Sequence, residues 1–146
     1  MDSKPIKCKY GGSWADYSGY GEANRNYITA LHKAEVELTT ERISYTTVDV
    51  ELGPNYEFAE QLEGRGLDYD IKILHIPSDG YLKFLEPNKY HIGHLFWETD
   101  KLSQSWVWNC NRLDEIWTGG VFQKEALLRS GVRVPINVYP QATDTI

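Results

Sequence analysis

Strand-like and helix-like stretches alternate along almost the whole of this chain. The strand-like runs are short and rich in apolar or β-branched residues, and they cover 6–10, 36–44, 70–77, 91–99, 114–120 and 136–140. Strands that alternate with helices are joined by right-handed crossovers, which give parallel strands with helices on both faces of the sheet. The sequence therefore predicts an α/β, Rossmann-like three-layer fold with a mainly parallel sheet of about six strands.

The helical pattern is clearest at 21–34, where apolar residues recur at intervals of three or four and form one face. A second helix is predicted to start at Pro54, which suits a first helical turn, and to end at the glycines that follow it. Shorter helices are predicted at 79–87 and 103–113, with Ser103 as N-cap, and at 121–131, where Gly131 ends the helix.

Length and charge limit what such a protein can do. A chain of 146 residues suits one domain, residues 1–146, and its net charge of -6 argues against nucleic acid and anionic membranes as partners. Because no apolar run is long enough to span a bilayer and the N-terminus lacks a signal-peptide core, no transmembrane segment is expected. Cys8 and Cys110 are predicted to be reduced core thiols, which favours a cytoplasmic protein.

Ligands of open parallel sheets bind at the carboxyl ends of the strands. There, Gly19, Tyr20 and Gly21 lie between the first strand and the first helix, where exposed N–H groups and the helix dipole favour an anion such as phosphate. A plain βα turn is the alternative interpretation. Asn24 occupies the third glycine position of the dinucleotide fingerprint, although Glu41 could serve as its ribose-binding acid.

The fourth strand is unusually polar for a buried parallel strand. Period-two alternation places His91 and His94 on opposite faces, so they cannot chelate one metal, and no metal site is expected. Glu98 falls where this strand runs out into the cleft and is the candidate functional carboxylate. Asp100 is predicted instead to cap the next helix.

Two further candidates lie at the same edge. His75 closes the third strand, and Gly119 and Gly120 precede a second helix N-terminus, which is either a phosphate site or a simple turn. Aromatic residues make up 13% of the chain, and Trp and Tyr rings offer stacking surfaces to sugars. We expect Gly19–Gly21 and Glu98 to converge on one open edge of the sheet.

Four segments together resemble the N-terminal domain of a GT-B glycosyltransferase, family 4 or "glycosyl transferases group 1". They are "SGYGEANRNYITALHKA" (18–34), "GHLFWETDKL" (93–102), "DEIWTGGVFQKEALLRSGV" (114–132) and "VYPQATD" (138–144). The chain departs from the family pattern at a few positions. In the signature-like segment, Ala142 stands where the family has glycine, and Thr143 stands where it usually has an aliphatic residue. Gly120 stands where relatives often have serine, and Glu35 where a helix-ending glycine is common.

The resemblance implies transfer of a sugar from a nucleotide-sugar donor to an acceptor hydroxyl, with retention of configuration and without metal or cofactor. It implies a catalytic role for Glu98, which would orient acceptor hydroxyls with His94 or His75 nearby. The implied substrate-binding residues also include Ser18, Gly19, Tyr20, Gly21, Gly119 and Gly120, with Tyr20 and Trp97 as sugar-stacking surfaces. The family's C-terminal donor domain would begin after Asp144, so the chain alone is expected to be inactive.

Two other functions remain open from the sequence. One is an NAD(P)-type nucleotide-cofactor domain that uses Gly19–Gly21 and Glu41. The other is a non-catalytic binding or assembly module that keeps a transferase-like fold and acts with a partner chain.

Overall fold

The computed structural model describes residues 4–45 and 51–142 and confirms the predicted fold class. Within these residues the strands are β1 (Lys7–Gly12), β2 (Glu37–Arg42), β3 (Ile71–His75), β4 (Tyr90–His94), β5 (Glu115–Thr118) and β6 (Ile136–Val138). The helices are α1 (Gly19–Lys33), α2 (Pro54–Gln61), α3 (Gln104–Cys110) and α4 (Val121–Ser130), with a 3₁₀ helix at Ser78–Phe84. The strands form one all-parallel sheet in the order β2-β1-β3-β4-β5-β6, flanked by helices in a Rossmann-like arrangement.

The chain divides into two compact units, with the boundary inside β3. The first unit is Met1–Lys72 with Gln141–Ile146, and the second is Ile73–Pro140. In the first, β1 and β2 pair in parallel with Cys8 opposite Leu38, and both side chains are buried. Helices α1 and α2 meet where the rings of His32 and Phe58 lie 4.7 Å apart.

In the second unit, β4, β5 and β6 pair in parallel, with Gly93 opposite Ile116 and Ile116 opposite Ile136. Gly93 gives its neighbours the room they need. A Cβ at this position would lie 2.6 Å from the side chain of Leu113 and 2.8 Å from the ring of Tyr81. The 3₁₀ helix and the residues after α3 therefore pack directly against this face of β4.

The helix ends follow the signals in the sequence. Pro54 occupies the first turn of α2, and Gly131 ends α4 in the left-handed conformation with φ 110°, as predicted. Glu35 also adopts positive φ, 66°, just after α1. Relatives in the resembled family commonly have a helix-ending glycine at this position. The left-handed backbone explains why glycine suits it.

Some predicted details of the helices and strands differ from the structure. The helix predicted at 79–87 is a 3₁₀ helix, and the fourth strand ends at His94 rather than at Thr99. Ser103 is the N-cap residue of α3 but makes no side-chain cap hydrogen bond, since its hydroxyl lies 3.3 Å from that of Ser105. Thr143 and Asp144, at the end of the signature-like segment, lie outside the described residues.

Cys8 and Cys110 are free thiols buried in the two units. Among the described helices, none combines the length and apolar character that crossing a bilayer requires.

Candidate functional site

The loop between β1 and α1 is held from inside by a buried arginine. The guanidinium of Arg25, on α1, donates hydrogen bonds to the carbonyl oxygens of Trp14 and Asp16 at 3.0 and 2.9 Å. Trp14 is fully buried, and its indole N–H donates to the carbonyl of Glu41 at 3.1 Å. The carboxylate of Asp16 is also buried and accepts the backbone N–H of Tyr45 at 2.9 Å. This loop is therefore a fixed part of the first unit.

One glycine of the glycine-rich turn, Gly21, is required by close packing against the preceding loop. A Cβ on Gly21 would collide with the carbonyl oxygen of Asp16 and lie 3.0 Å from that of Ser13, so the loop passes directly over this residue. Gly19, in contrast, has open space around it. Only Gly19 leaves its side of the turn free for a ligand to approach the backbone.

Ser18 and Tyr20 have local structural roles in the same turn. Ser18 is the N-cap of α1, and its hydroxyl accepts the Gly21 N–H at 3.0 Å. The half-buried Tyr20 offers its carbonyl to the side-chain amide of Asn24 at 2.7 Å. The first turn of α1 thus has one N–H already satisfied by its cap.

In the second unit, two predicted site residues lie side by side. The imidazoles of His75 and His94, the last residues of β3 and β4, stack with centroids 4.0 Å apart. Both residues are completely buried, and Phe96 lies against them with ring centroids 5.8 and 5.1 Å away. The sequence placed His75 at the mouth of a cleft, whereas the structure buries both histidines.

Burial controls the protonation of this pair. Burial of the ring away from solvent lowers the pKa of His94 to about 3. The pKa of His75 is also well below its ordinary value, first because of burial and then because of the neighbouring His94. Both rings are therefore neutral near physiological pH, and each then has one nitrogen that donates and one that accepts.

In the turn after β5, Gly119 is closely packed and Gly120 is open to its surroundings. The Thr118 hydroxyl lies 2.8 Å from the Leu95 carbonyl and 2.7 Å from the side-chain oxygen of Gln123. The side-chain oxygen of Gln123 also accepts the Gly119 N–H at 2.9 Å. A Cβ on Gly119 would lie 2.5 Å from the Phe96 ring. Gly120, the N-cap residue of α4, has no such neighbour and makes no side-chain cap. The start of α4 is therefore open at Gly120.

Glu98 is exposed on a turn that directly follows β4. The turn is pinned at Trp97, whose indole N–H donates to the Lys101 carbonyl at 2.9 Å, and at Leu102, whose N–H donates to the Ser130 hydroxyl at 2.8 Å. Trp97 also packs against Trp106 with ring centroids 4.5 Å apart, so it has a structural role. Asp100 is exposed in the same turn and is not the N-cap of α3.

The remaining candidates have separate environments. His91 accepts the Glu86 N–H at 3.0 Å and so has a different partner from His94. In residues 4–45 and 51–142, no three His, Cys, Asp or Glu side chains gather as metal ligands would. Glu41, the candidate ribose-binding acid, is held by the ammonium groups of Lys72 at 3.0 Å and Lys9 at 3.4 Å.

The structure thus brings His75 and His94 together, places Gly119 against Phe96, and exposes Glu98. Sequence reasoning missed Arg25, Asp16 and Phe96, which hold these turns in place. Nothing local marked any of the three, since the burial of Arg25 is evident only in the folded protein.

The fold and these turns define a Rossmann-like α/β protein with polar turns after the carboxyl ends of its strands. In comparisons with known proteins, the chain matches no family profile, no curated protein and no solved structure.

Proposed function

We propose that this chain is the acceptor-side, N-terminal half of a GT-B glycosyltransferase, which moves a sugar from a nucleotide-sugar to an acceptor hydroxyl. The observation that carries the proposal is the exposed carboxylate of Glu98 on a turn fixed at Trp97 and Leu102. The turn follows the carboxyl end of β4 directly, and ligands of α/β sheets bind at that end of the strands.

A carboxylate in this position suits an acceptor sugar. An ionised Glu98 can accept hydrogen bonds from two hydroxyl groups at once. The pinned turn limits how far the carboxylate can move, so less entropy is lost when the acceptor is oriented. Glu98 would thus hold the attacking hydroxyl in position.

The open helix N-terminus at Gly120 supports a role for the donor phosphates. Unsatisfied N–H groups and the positive end of the dipole of α4 favour the negative charge that develops on a departing diphosphate. Gly19 offers a similar open approach at the start of α1. Transfer itself would require a donor-binding half that closes over this one and excludes water.

His75 and His94 have a supporting role in this proposal. Both rings are buried and pack against Phe96. The ring of Phe96 in turn lies against Gly119. We therefore assign them to positioning the turn after β5 and not to direct contact with substrate.

The state of Glu41 favours a transferase over a nicotinamide-cofactor domain. A ribose-binding acid needs free carboxylate oxygens for the ribose hydroxyls. In this chain both oxygens of Glu41 lie in ion pairs, one with Lys72 and the other with Lys9.

Ligand binding followed by heteronuclear NMR tests the proposal. We expect methyl glycosides to bind weakly and to shift the amide signals around Glu98, and UDP-glucose or GDP-mannose to shift those around Gly120. Glu98→Gln should weaken glycoside binding roughly tenfold, since hydrogen bonds to a charged group are strong. Asp100→Asn is the matched control, because it removes a neighbouring exposed carboxylate and should leave binding unchanged.

Two results would contradict the proposal. One is tighter binding of NAD⁺ than of either nucleotide-sugar, with shifts centred on Gly19. The other is glycoside binding that responds equally to Glu98→Gln and Asp100→Asn.

A further inference from the structure

One face of the second unit's strands carries polar and aromatic side chains in the middle of the sheet. Strand β5 lies between β4 and β6, yet Glu115 and Trp117 on this face are only half-buried. The register places Asn137 beside Trp117. An interior strand of a parallel sheet is normally apolar on both faces, so these residues need an explanation.

The helices of this unit pack on the other face. On this face the accessible part lies at β5 and β6, because Ile92 and His94, the β4 partners of Glu115 and Trp117, are buried. Leu113 and Tyr81 pack on the opposite face, at Gly93, which is the register partner of Ile116. The fully buried Ile116 therefore points to the helices, and its neighbours Glu115 and Trp117 point away from them.

A carboxylate lies in the accessible part of this face. Glu115 accepts hydrogen bonds from the Tyr90 hydroxyl at 2.8 Å, the Trp117 indole N–H at 2.9 Å and the Asn137 amide at 2.8 Å. The bond to Glu115 is the main reason that the pKa of Tyr90 rises to about 12. All three donors are neutral, so they fix the carboxylate and leave its negative charge in place.

The Trp117 ring lies next to this charge, and the Tyr139 ring packs against Trp117. The rings of Trp117 and Tyr139 meet edge to face, with centroids 5.1 Å apart and planes at 76°. Tyr139 keeps 45% of its surface exposed. Together the two rings form a corner with Glu115 beside it.

Elsewhere in the chain, two tryptophan rings already pack against cations. The guanidinium of Arg42 lies 4.8 Å from the Trp14 ring, and that of Arg112 lies 4.6 Å from the Trp108 ring. Across 4–45 and 51–142, no lysine or arginine pairs with the Glu115 carboxylate or covers the Trp117 ring.

The geometry points to a binding site for an organic cation, an alkylammonium or guanidinium group, at the corner formed by Glu115, Trp117 and Tyr139. Aromatic faces attract such cations through their quadrupole, and a neighbouring carboxylate adds a direct charge interaction. This site does not depend on the proposed transfer chemistry. A second copy of the chain is a poor occupant of the face, since it would bring another Glu115 and a net charge of -6.

Titration with choline and with its uncharged carbon isostere, dimethylbutanol, separates charge from shape. The indole N–H signal of Trp117 is the reporter, and that of Trp108 is the internal control. We expect choline to shift the Trp117 signal and to bind roughly tenfold more tightly than dimethylbutanol. Equal binding of the two compounds, or no shift at Trp117, would overturn the proposal.

Two variants test the residues separately. Glu115→Gln keeps the shape and a carbonyl acceptor but removes the charge, and it should weaken choline binding about tenfold while leaving dimethylbutanol unchanged. Tyr139→Leu removes an exposed ring without touching the hydrogen bonds of Glu115, and it remains informative if Glu115→Gln fails to fold. Undiminished choline binding by Tyr139→Leu would also overturn the proposal.

The cation could come from a small molecule or from a protein side chain. Parallel titrations with choline and the tripeptide Gly-Arg-Gly distinguish the two sources, and tighter binding of one of them identifies the source. If neither cation binds at Trp117, the site does not exist.

Discussion

The imidazole rings of His75 and His94 stack with centroids 4.0 Å apart and planes within 15° of parallel. Both rings are fully buried, so neither can take up a proton without a large cost. The fold is therefore linked to pH through this pair.

We expect stability to fall as the pH drops below about 6.5, the ordinary histidine value. The unfolded chain binds protons there while the folded chain keeps both histidines neutral, so protonation favours unfolding. For His94 the loss continues down to a folded pKa of about 3. In this window each histidine lowers the free energy of unfolding by about 1.4 kcal/mol for every unit by which the pH falls. Urea denaturation between neutral pH and about pH 4 measures the slope.

A ring substitution separates this effect from that of the carboxylates. His94→Phe keeps an aromatic ring in the stack and should reduce the slope by the share of one histidine. Phe96→Leu, which removes a ring from the same cluster but no titratable group, should leave the slope as it is. The assignment is wrong if the two variants give the same pH profile.

The alternation of strand and helix was enough to predict the α/β class, and Pro54 and Gly131 marked the start of α2 and the end of α4. The end of β4 could not be predicted this way. The side chains of Trp97 and Thr99 both donate to the Lys101 carbonyl and form a local turn, which overrides the alternating pattern that favoured a longer strand.

The site was less predictable because its contacts are not local. His75 meets His94 because β3 lies next to β4 in the sheet, and strand order cannot be read from alternation alone. For the same reason, the residue pattern did not indicate that both rings would be buried. The need for glycine at position 21 depends on the path of the preceding loop over it, which the residue pattern does not reveal.

Gly21→Ala should destabilise the protein. The new methyl group would collide with the Asp16 carbonyl, and the backbone cannot move away easily because Arg25 also binds that carbonyl. We expect a loss of about 1–3 kcal/mol in the free energy of unfolding. Gly19→Ala, in open space two residues away, should change it by no more than ~0.5 kcal/mol. Similar losses for both variants would show that Gly21 is not in close contact.

The buried guanidinium of Arg25 should be essential to the loop that it holds. Arg25→Ala leaves the carbonyls of Trp14 and Asp16 buried without their donor, and we expect a loss of about 2–4 kcal/mol in urea denaturation. Arg129→Ala is the control, since its pairing with Glu125 at 3.9 Å is exposed. It should cost no more than ~0.5 kcal/mol. An equally small loss for Arg25→Ala would mean that other groups hold the loop.

Serine substitutions at the two glycines before α4 should have opposite effects. Gly120 has extended backbone and open surroundings, so Gly120→Ser can cap α4 as Ser18 caps α1 and should stabilise the fold by ~0.3 kcal/mol. Gly119→Ser would press its Cβ against the Phe96 ring and should cost about 1–3 kcal/mol. Thermal unfolding of both variants measures these changes. If Gly120 faces donor phosphates, the added hydroxyl should also tighten UDP-glucose binding, because it supplies one further hydrogen-bond donor. Unchanged UDP-glucose binding by a fully folded Gly120→Ser protein would instead indicate that this turn is not the phosphate site.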